Sequence, residues 1–210
     1  MIGELDGPWR AAFDEAWAAF GAGNFGIGAV LVDPSTGEIV ARGRNRVGET
    51  RPASRIIGGN FLAHAEMNAF AAMESFFARG LHLYTTLEPC LMCSATAIQL
   101  NVEHIHFAAA DEFFVGLDDL WTHHEYTRTR APRRSGPLGR DLAAFARLLP
   151  LTYTLCRLPD GNAAATARRD ESALADLAER FALSDEFDSA RRSPSVVDAF
   201  DAVRPHLPVP

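Results

Sequence analysis

Lysine is absent from the sequence, cysteine occurs only three times, and no apolar run is long. All basic side chains are therefore arginine, a feature from which we infer no function. Three cysteines do not make a disulfide framework, so the close pair Cys90 and Cys93 points to metal or redox chemistry. No uncharged apolar segment reaches the roughly 20 residues that span a bilayer, and the N-terminus lacks the basic start and apolar stretch of a signal peptide. We expect a cytoplasmic protein without a membrane partner.

An excess of positive charge is missing too. The chain has 20 Lys and Arg against 27 Asp and Glu, which gives a net charge of -7. A surface of this sign does not attract phosphate backbones, so we do not expect a nucleic-acid partner. The 210 residues, 48% of them hydrophobic, can form one large core with an appendage.

Hydrophobic periodicity predicts an α/β fold. Residues 11–20 have helical spacing, and residues 25–46 contain two β-rich runs around a turn at Asp33, Pro34 and Gly37. Predicted helices and strands then alternate over four segments, residues 61–80, 81–87, 90–101 and 103–110. A hairpin followed by this alternation predicts a three-layer α/β/α domain with a mixed central sheet.

The pattern changes after residue 110. The stretch "LPLTYTLCRL", residues 149–158, has the composition of a further strand. Residues 159–210 are predicted to be a helical C-terminal tail with one amphipathic helix from about Glu171 to Phe181. The expected division is a core domain over residues 1–158 and an extension over residues 159–210.

The residues that could carry chemistry lie where two predicted helices begin. "HAE" at residues 64–66 opens one helix, and "PCLMC" at residues 89–93 opens the other. His64, Cys90 and Cys93 could hold a zinc ion and leave its fourth tetrahedral position for water, as catalytic zinc sites do. A helix N-terminus also favours the thiolate form of the two cysteines.

Glu66 lies two residues after His64, too close for both to bind the same ion from one helical turn. It is near enough to reach water on that ion, and a carboxylate there can accept a proton and pass it on. We therefore predict that Glu66 is the catalytic acid and base.

Other interpretations of the cysteine pair are a redox pair and half of a structural zinc site. A structural site needs a fourth protein ligand, and Cys156 or another histidine could supply it. We expect Cys156 to be a small buried residue of a strand. His82, His104 and His106 are expected to be ordinary strand residues.

The arrangement H-x-E followed by P-C-x-x-C resembles the zinc-dependent cytidine deaminase superfamily. "GAVLVDPSTGEIVARGRNR", "HAEMNAF" and "TLEPCLMCSATAI" are similar to the branch that contains guanine deaminases, cytosine deaminases and bacterial tRNA adenosine deaminases. The resemblance extends over residues 10–110. It implies zinc bound by His64, Cys90 and Cys93, Glu66 as the proton shuttle, and a homodimer.

The resemblance also implies substrate contacts by Asn45 and by the backbone around Ala65. An Asn at a strand end could equally cap a turn. Phe25 could stack on a base or belong to the core. "GLDD" at residues 116–119 resembles the Gly-Phe-Asp-Asp run with which guanine deaminases place an acidic side chain over the purine, although Leu117 replaces the aromatic residue.

By this likeness Asp119, in preference to Asp118, would accept a hydrogen bond from a ring N–H or an exocyclic amine. Trp121 would close the pocket. The alternatives are an exposed Asp pair that caps a helix and a Trp in the core.

We therefore expect a zinc-dependent hydrolase that removes the amino group of a free nucleobase or nucleoside, with a guanine-type purine preferred. One alternative is a tRNA-editing adenosine deaminase, supported locally by the Arg cluster in residues 126–140. Another is a non-catalytic binding protein on the same fold, against which the complete set of His64, Glu66, Cys90 and Cys93 argues.

Overall fold

The structure, a computed structural model, describes residues 2–5, 7–50, 56–114 and 116–208. These residues form a five-stranded sheet of order β2-β1-β3-β4-β5. The strands are β1 (Gly28–Asp33), β2 (Glu38–Arg44), β3 (His82–Leu87), β4 (His104–Ala109) and β5 (Arg133–Ser135). β1 is antiparallel to β2 and β3, whereas β3, β4 and β5 are parallel to one another. The predicted mixed sheet is confirmed, although the short β5 was not expected.

Helices surround the sheet. The longer ones are α1 (Gly7–Gly21), α2 (Ala65–Ala72), α3 (Leu91–Leu100), α5 (Arg140–Arg157), α6 (Asn162–Asp170), α7 (Ser172–Leu183) and α9 (Val196–Val203). Single turns form α4 (Glu125–Arg128) and α8 (Asp188–Arg191), and a 3-10 helix spans Leu117–Thr122. Among the helices described, none combines the length and apolar character needed to cross a membrane.

Alternation along the strands directs side chains to two separate layers. Leu83 and Ile105 face the layer of α2 and α3, where they pack with alanines of both helices. Tyr84 faces the opposite layer and meets the ring of Trp9 of α1 edge to face, at 5.2 Å between ring centroids. α5 packs on this second face as well, through Phe145. The expected α/β/α arrangement is confirmed.

The helix predicted over residues 61–80 is shorter, and the prediction was wrong at both ends. Before it, the side chain of Asn60 accepts a hydrogen bond from Leu62 N–H, which holds a turn there. After it, Met73 is extended, and Ala78 N–H donates to the carbonyl oxygen of Leu100 at the end of α3. The Leu62 N–H is used in a local turn and the Ala78 N–H in a tertiary hydrogen bond, so neither group is available to extend the helix.

The prediction of a strand at residues 149–158 was also wrong, because this segment is the second half of α5. Among the buried side chains of α5, those of Phe145, Leu148, Leu149, Thr152 and Leu155 have the spacing of three or four residues that marks one helix face. Pro150 costs about 3 kcal/mol inside a helix, but each buried Leu or Phe contributes about 1.5–3 kcal/mol. Cys156 is exposed on this helix, contrary to expectation.

The C-terminal extension is more helical than expected. α7 confirms the helix predicted near residues 171–181, and α6 and α9 are additional. Phe181 and Phe200 belong to the same hydrophobic cluster as Phe145, and Trp17 Nε1 donates to the carbonyl oxygen of Ser193 at 2.8 Å. The extension therefore shares a core with α1 and α5, and the domain boundary after residue 158 stays a prediction.

Gly43 generates a test of this packing. A Cβ at this position would collide with the backbone of α2, at the carbonyl oxygen of Ala65 and the nitrogen of Ala69. We expect Gly43→Ala to lower the free energy of unfolding by about 1–3 kcal/mol, because a rigid backbone contact must shift. Urea denaturation measures the effect. Gly21→Ala is the control, since a Cβ at Gly21 meets nothing within 4 Å; equal stability of the two variants would contradict the assignment.

Candidate active site

Two helix starts meet beside the carboxyl end of β3. His64 precedes the first residue of α2 and Cys90 precedes the first residue of α3, and both have extended backbone conformations. Cys93 lies in the first turn of α3 and is fully buried. The extended conformation turns the side chains of His64 and Cys90 away from their own helices and toward each other.

The three side chains converge at tetrahedral spacing. Nδ1 of His64 lies 3.6 Å from Sγ of Cys90 and 3.6 Å from Sγ of Cys93. Around a tetrahedral zinc ion with ordinary bond lengths, a nitrogen and a sulfur ligand are about 3.5 Å apart. The donor set and its spacing therefore fit zinc.

The protonation of these groups is coupled. A hydrogen bond with Cys93 is the main cause that lowers the pKa of Cys90, to about 4. The same hydrogen bond, together with burial, raises the pKa of Cys93. Burial lowers the pKa of His64, but the hydrogen bond with Cys90 and the charges of Glu66 and Cys90 outweigh it, so the pKa is raised overall. Cys90 is thus available as a thiolate, whereas the raised pKa of His64 favours the protonated ring, so metal binding at His64 releases a proton.

Glu66 lies in the first turn of α2 and is 3% exposed. Thr85 of β3 donates its hydroxyl to Oε1 at 3.1 Å, and the Cys93 thiol donates to Oε2 at 3.4 Å. Burial raises the pKa of this carboxyl, and the charge on His64 opposes the shift. The carboxylate is therefore held in one orientation next to the possible metal ligands, without pointing away into solvent.

His64, Glu66 and Cys90 open into a cavity of about 410 Å³. Most of the wall is apolar, with contributions from Ile27, Leu87, Met92, Phe114, Pro150 and Leu151. Such a cavity suits a flat heterocycle, and the few polar groups are left to orient it.

The structure brings two of the expected substrate contacts to this cavity. Asn45 is buried in its wall, and its Oδ1 accepts a hydrogen bond from Val47 N–H at 3.1 Å. Phe25 also lines the cavity and lies 4.1 Å from the ring of Tyr153 between centroids. Ala65 is buried at the start of α2, with its carbonyl oxygen against Gly43 of β2.

Asp118, Asp119 and Trp121 do not line this cavity. Asp118 and Trp121 border a separate surface depression with Arg134, and Asp119 is exposed. Arg134 Nε lies 3.3 Å from Oδ1 of Asp118, whose side chain is 60% exposed. The segment that carries Asp118 and Trp121, which was expected to close the pocket, therefore contacts Arg134 of β5.

Several cavity residues were missed by the sequence analysis. Glu88 directly follows β3 and Asp111 is the second residue after β4, and the carboxyl ends of parallel strands are the usual ligand-binding edge, so a signal existed. Arg147 and Thr154 line the cavity from α5, which was interpreted as a strand in part. Arg147 makes a bidentate ion pair with Glu171, at 2.8 and 3.0 Å, which links the cavity wall to the extension.

Comparison with known proteins agrees with this geometry. Residues 8–109 match the family model described as the cytidine and deoxycytidylate deaminase zinc-binding region. The resemblance inferred from the motifs is thereby confirmed, together with the expectations of a zinc cofactor and of a hydrolase that acts on C–N bonds.

Solved structures similar to the chain include the following two. One comes from work on A-to-I editing by tRNA:A34 deaminases, with 28% identity and a TM-score of 0.52, and covers 66% of this chain and 97% of that one. The other is guanine deaminase from Nitrosomonas europaea, with 23% identity and a TM-score of 0.52, covering 72% of this chain and 86% of that one. At that identity the second likeness concerns the fold alone.

Curated relatives include tRNA-specific adenosine deaminases. That of Aquifex aeolicus is 34% identical over 112 residues, which are 51% of this chain and 68% of the relative. That of Bacillus subtilis is 40% identical over 106 residues, which are 49% of this chain and 60% of the relative. On the family model, the relatives and the converging ligand set, the chain belongs to the cytidine and deoxycytidylate deaminase zinc-binding family.

Proposed function

We propose that this protein removes an amino group from a nucleobase by hydrolysis, with His64, Cys90 and Cys93 holding zinc. The observation that carries the proposal is the convergence of Nδ1 and the two sulfur atoms at 3.6 Å beside the buried carboxylate of Glu66. When bound, zinc polarises water and so supplies the nucleophile.

Glu66 moves the protons of this reaction. It accepts a proton from the attacking water and delivers it to the ring nitrogen next to the amine-bearing carbon. It then carries the remaining hydroxyl proton to the amine, which leaves as ammonia while the carbon becomes a carbonyl. The hydroxyl of Thr85 donates a hydrogen bond to Oε1 of Glu66, so Oε2 is the oxygen that accepts and delivers the protons.

Asn45 and Phe25 orient the base. Because Oδ1 of Asn45 already accepts from Val47 N–H, its amide nitrogen is the group that donates to a substrate acceptor. Phe25 offers a ring face in the cavity wall. The homodimer implied by the resemblance, and the roles first expected for Ala65, stay predictions.

For the substrate, we rank adenosine within tRNA above the guanine-type base expected from the sequence. The relatives with 34% and 40% identity over the catalytic segment are tRNA-specific adenosine deaminases, and they favour a nucleic-acid partner. Phe61 lines the cavity beside His64 and yet is 74% exposed, and Phe113 is 48% exposed in the same wall. Exposed aromatic rings at a cavity mouth suit a flipped base with neighbouring nucleotides.

The second candidate is a free base or nucleoside, and it is favoured by the ion pairs that two arginines of the cluster in residues 126–140 already make. Arg133 is paired with Glu103, and Arg134 with Glu88 and Asp118, so these two of the clustered arginines are already neutralised. The cavity wall also includes Pro150 and Leu151, which lie beyond the segment shared with the family model. We therefore test both substrates side by side.

Removal of one thiolate tests the zinc ligands. We expect Cys90→Ala to lose the tightly bound zinc, about one ion per chain, and to unfold at a lower temperature, because metal binding is coupled to folding. Elemental analysis after exhaustive dialysis and thermal denaturation measure both effects. The matched control is Cys156→Ala, which changes an exposed cysteine on α5. Zinc retained in full by Cys90→Ala would refute the ligand assignment.

Glu66→Gln tests the proton shuttle. We expect this variant to keep its zinc and its fold and to lose turnover by about 10²–10⁴-fold or more, because the amide does not exchange protons. Ammonia release is the assay. Glu74→Gln, at an exposed position just after α2, should keep wild-type turnover. A Glu66→Gln rate within tenfold of wild type would mean that another group moves the protons.

A substrate panel separates the two candidates. Guanine, adenine, cytosine, their nucleosides and a tRNA transcript are assayed for ammonia and for inosine. We expect inosine in the transcript at a higher kcat/KM than for any free compound. Turnover of free guanine or another free compound with an unmodified transcript would instead support the second candidate, and no turnover of any substrate by zinc-loaded protein would support a binding protein.

Phe61→Ala sharpens this comparison. Loss of a stacked base costs about 1–3 kcal/mol, so we expect KM for the transcript to rise by about fivefold to 150-fold, with a smaller change for free nucleosides. Phe76→Ala is the control, because Phe76 is also exposed, at 86%, and does not line the cavity. An equal effect of both changes would argue against stacking at Phe61.

A further inference from the structure

Three histidines lie together at the end of the sheet opposite the candidate active site. His82 is the first residue of β3, and it pairs in register with His104, the first residue of β4. His106 follows two residues later on the same face of β4. The active site lies beyond Leu87, at the other end of β3, about 16 Å away along six strand residues. The two groups are therefore separate.

The spacing of the imidazoles is that of metal ligands. Nε2 of His106 lies 3.3 Å from Nδ1 of His82, and one ring nitrogen from each of the three histidines lies within 4.8 Å of the others. Two nitrogen ligands of a tetrahedral zinc ion are about 3.3 Å apart. The His82 and His106 nitrogens thus already lie at coordination distance, and a ring nitrogen of His104 lies within 4.8 Å of both.

We propose that His82, His104 and His106 bind a second metal ion, a divalent first-row transition metal such as zinc. Three imidazole ligands without a thiolate or a carboxylate suit zinc, copper and nickel, and exclude calcium and magnesium, which take oxygen ligands. All three histidines are partly exposed, so solvent completes the coordination sphere.

The pKa values of His104 and His106 are lowered, which favours the neutral ring that binds metal. Burial lowers the pKa of His106 to about 4, helped by the charges of His104, His82 and Arg133. Burial and the charge of Arg133 also lower the pKa of His104, while Glu103 opposes the shift. No proton has to be removed from these two rings near neutral pH.

Neighbouring side chains hold the rings in place. Ser135 of β5 is hydrogen-bonded to Nε2 of His104 at 2.8 Å. The ring of Tyr84 stacks on His106 at 4.3 Å between centroids, and His104 stacks on the other side at 3.9 Å. Ring orientation fixed in this way by second partners is typical of metal-binding histidines. The bound ion would connect the starts of the two parallel strands β3 and β4.

Equilibrium dialysis of the full chain against added zinc at pH 7.5 tests the proposal. The protein is first loaded at His64, Cys90 and Cys93, so that only additional zinc is counted. We expect about one more zinc ion per chain, and an affinity at least about tenfold lower in His82→Gln and in His106→Gln, because each change removes one of three ligands. His123→Gln, at an exposed histidine outside the cluster, should bind as wild type.

Cobalt substitution distinguishes the two sites by their ligands. Cobalt taken up by the histidine cluster should show a nitrogen and oxygen shell in X-ray absorption, whereas cobalt at Cys90 and Cys93 shows sulfur. If circular dichroism shows that His106→Gln does not fold, His104→Gln replaces it in the test, since the ring of His104 is less buried than the ring of His106. Absence of a second zinc in wild type up to millimolar concentration, or undiminished uptake by the variants, would overturn the proposal.

Discussion

One constraint governs the site, because three ligand atoms from two helices must meet at a single point. They meet because α2 and α3 both begin beside the end of β3, and because α2 rests on the sheet without an intervening side chain at Gly43. Any outward shift of α2 would move Nδ1 of His64 away from the two sulfur atoms. The geometry of the site therefore depends on the packing of α2 on the sheet. A substitution at Gly43 that displaces α2 would lower stability and also displace His64 from the two sulfur atoms.

The cavity has two halves of different origin. Its floor, with His64, Glu66 and Cys90, lies within the segment shared with the family, whereas part of its wall comes from α5 and α6 outside that segment. The bidentate pair of Arg147 with Glu171 ties this wall to the extension, and both side chains are largely removed from solvent. The residues proposed to carry the chemistry thus lie within the segment that the family model matches, whereas part of the wall around the substrate lies outside it.

The elements and ligands that short-range sequence patterns determine were predicted from the sequence. The hairpin, β3, β4 and α3 follow from periodicity, and the ligands follow from helix starts that bring His64 and Cys90 to the same strand end. The second half of α5 was missed because Pro150 disfavours a helix and the neighbouring β-branched and aromatic residues favour a strand locally, while burial against the sheet favours a helix. The position of Asp118 depends on its ion pair with Arg134, a long-range contact that no local motif reports.

The charge of the chain bears on how it would hold RNA. A net charge of -7, and the ion pairs of Arg133 with Glu103 and of Arg134 with Glu88, reduce the positive charge available to phosphates. Each phosphate contact to a single strand adds about 0.7 to the slope of log affinity against log salt concentration, so the slope should be shallow. Binding would then depend on stacking at the cavity mouth and on the fit of the extruded base. An acidic protein can select a base in RNA in this way, because contact at Phe61 acts at short range, where the overall charge has little influence.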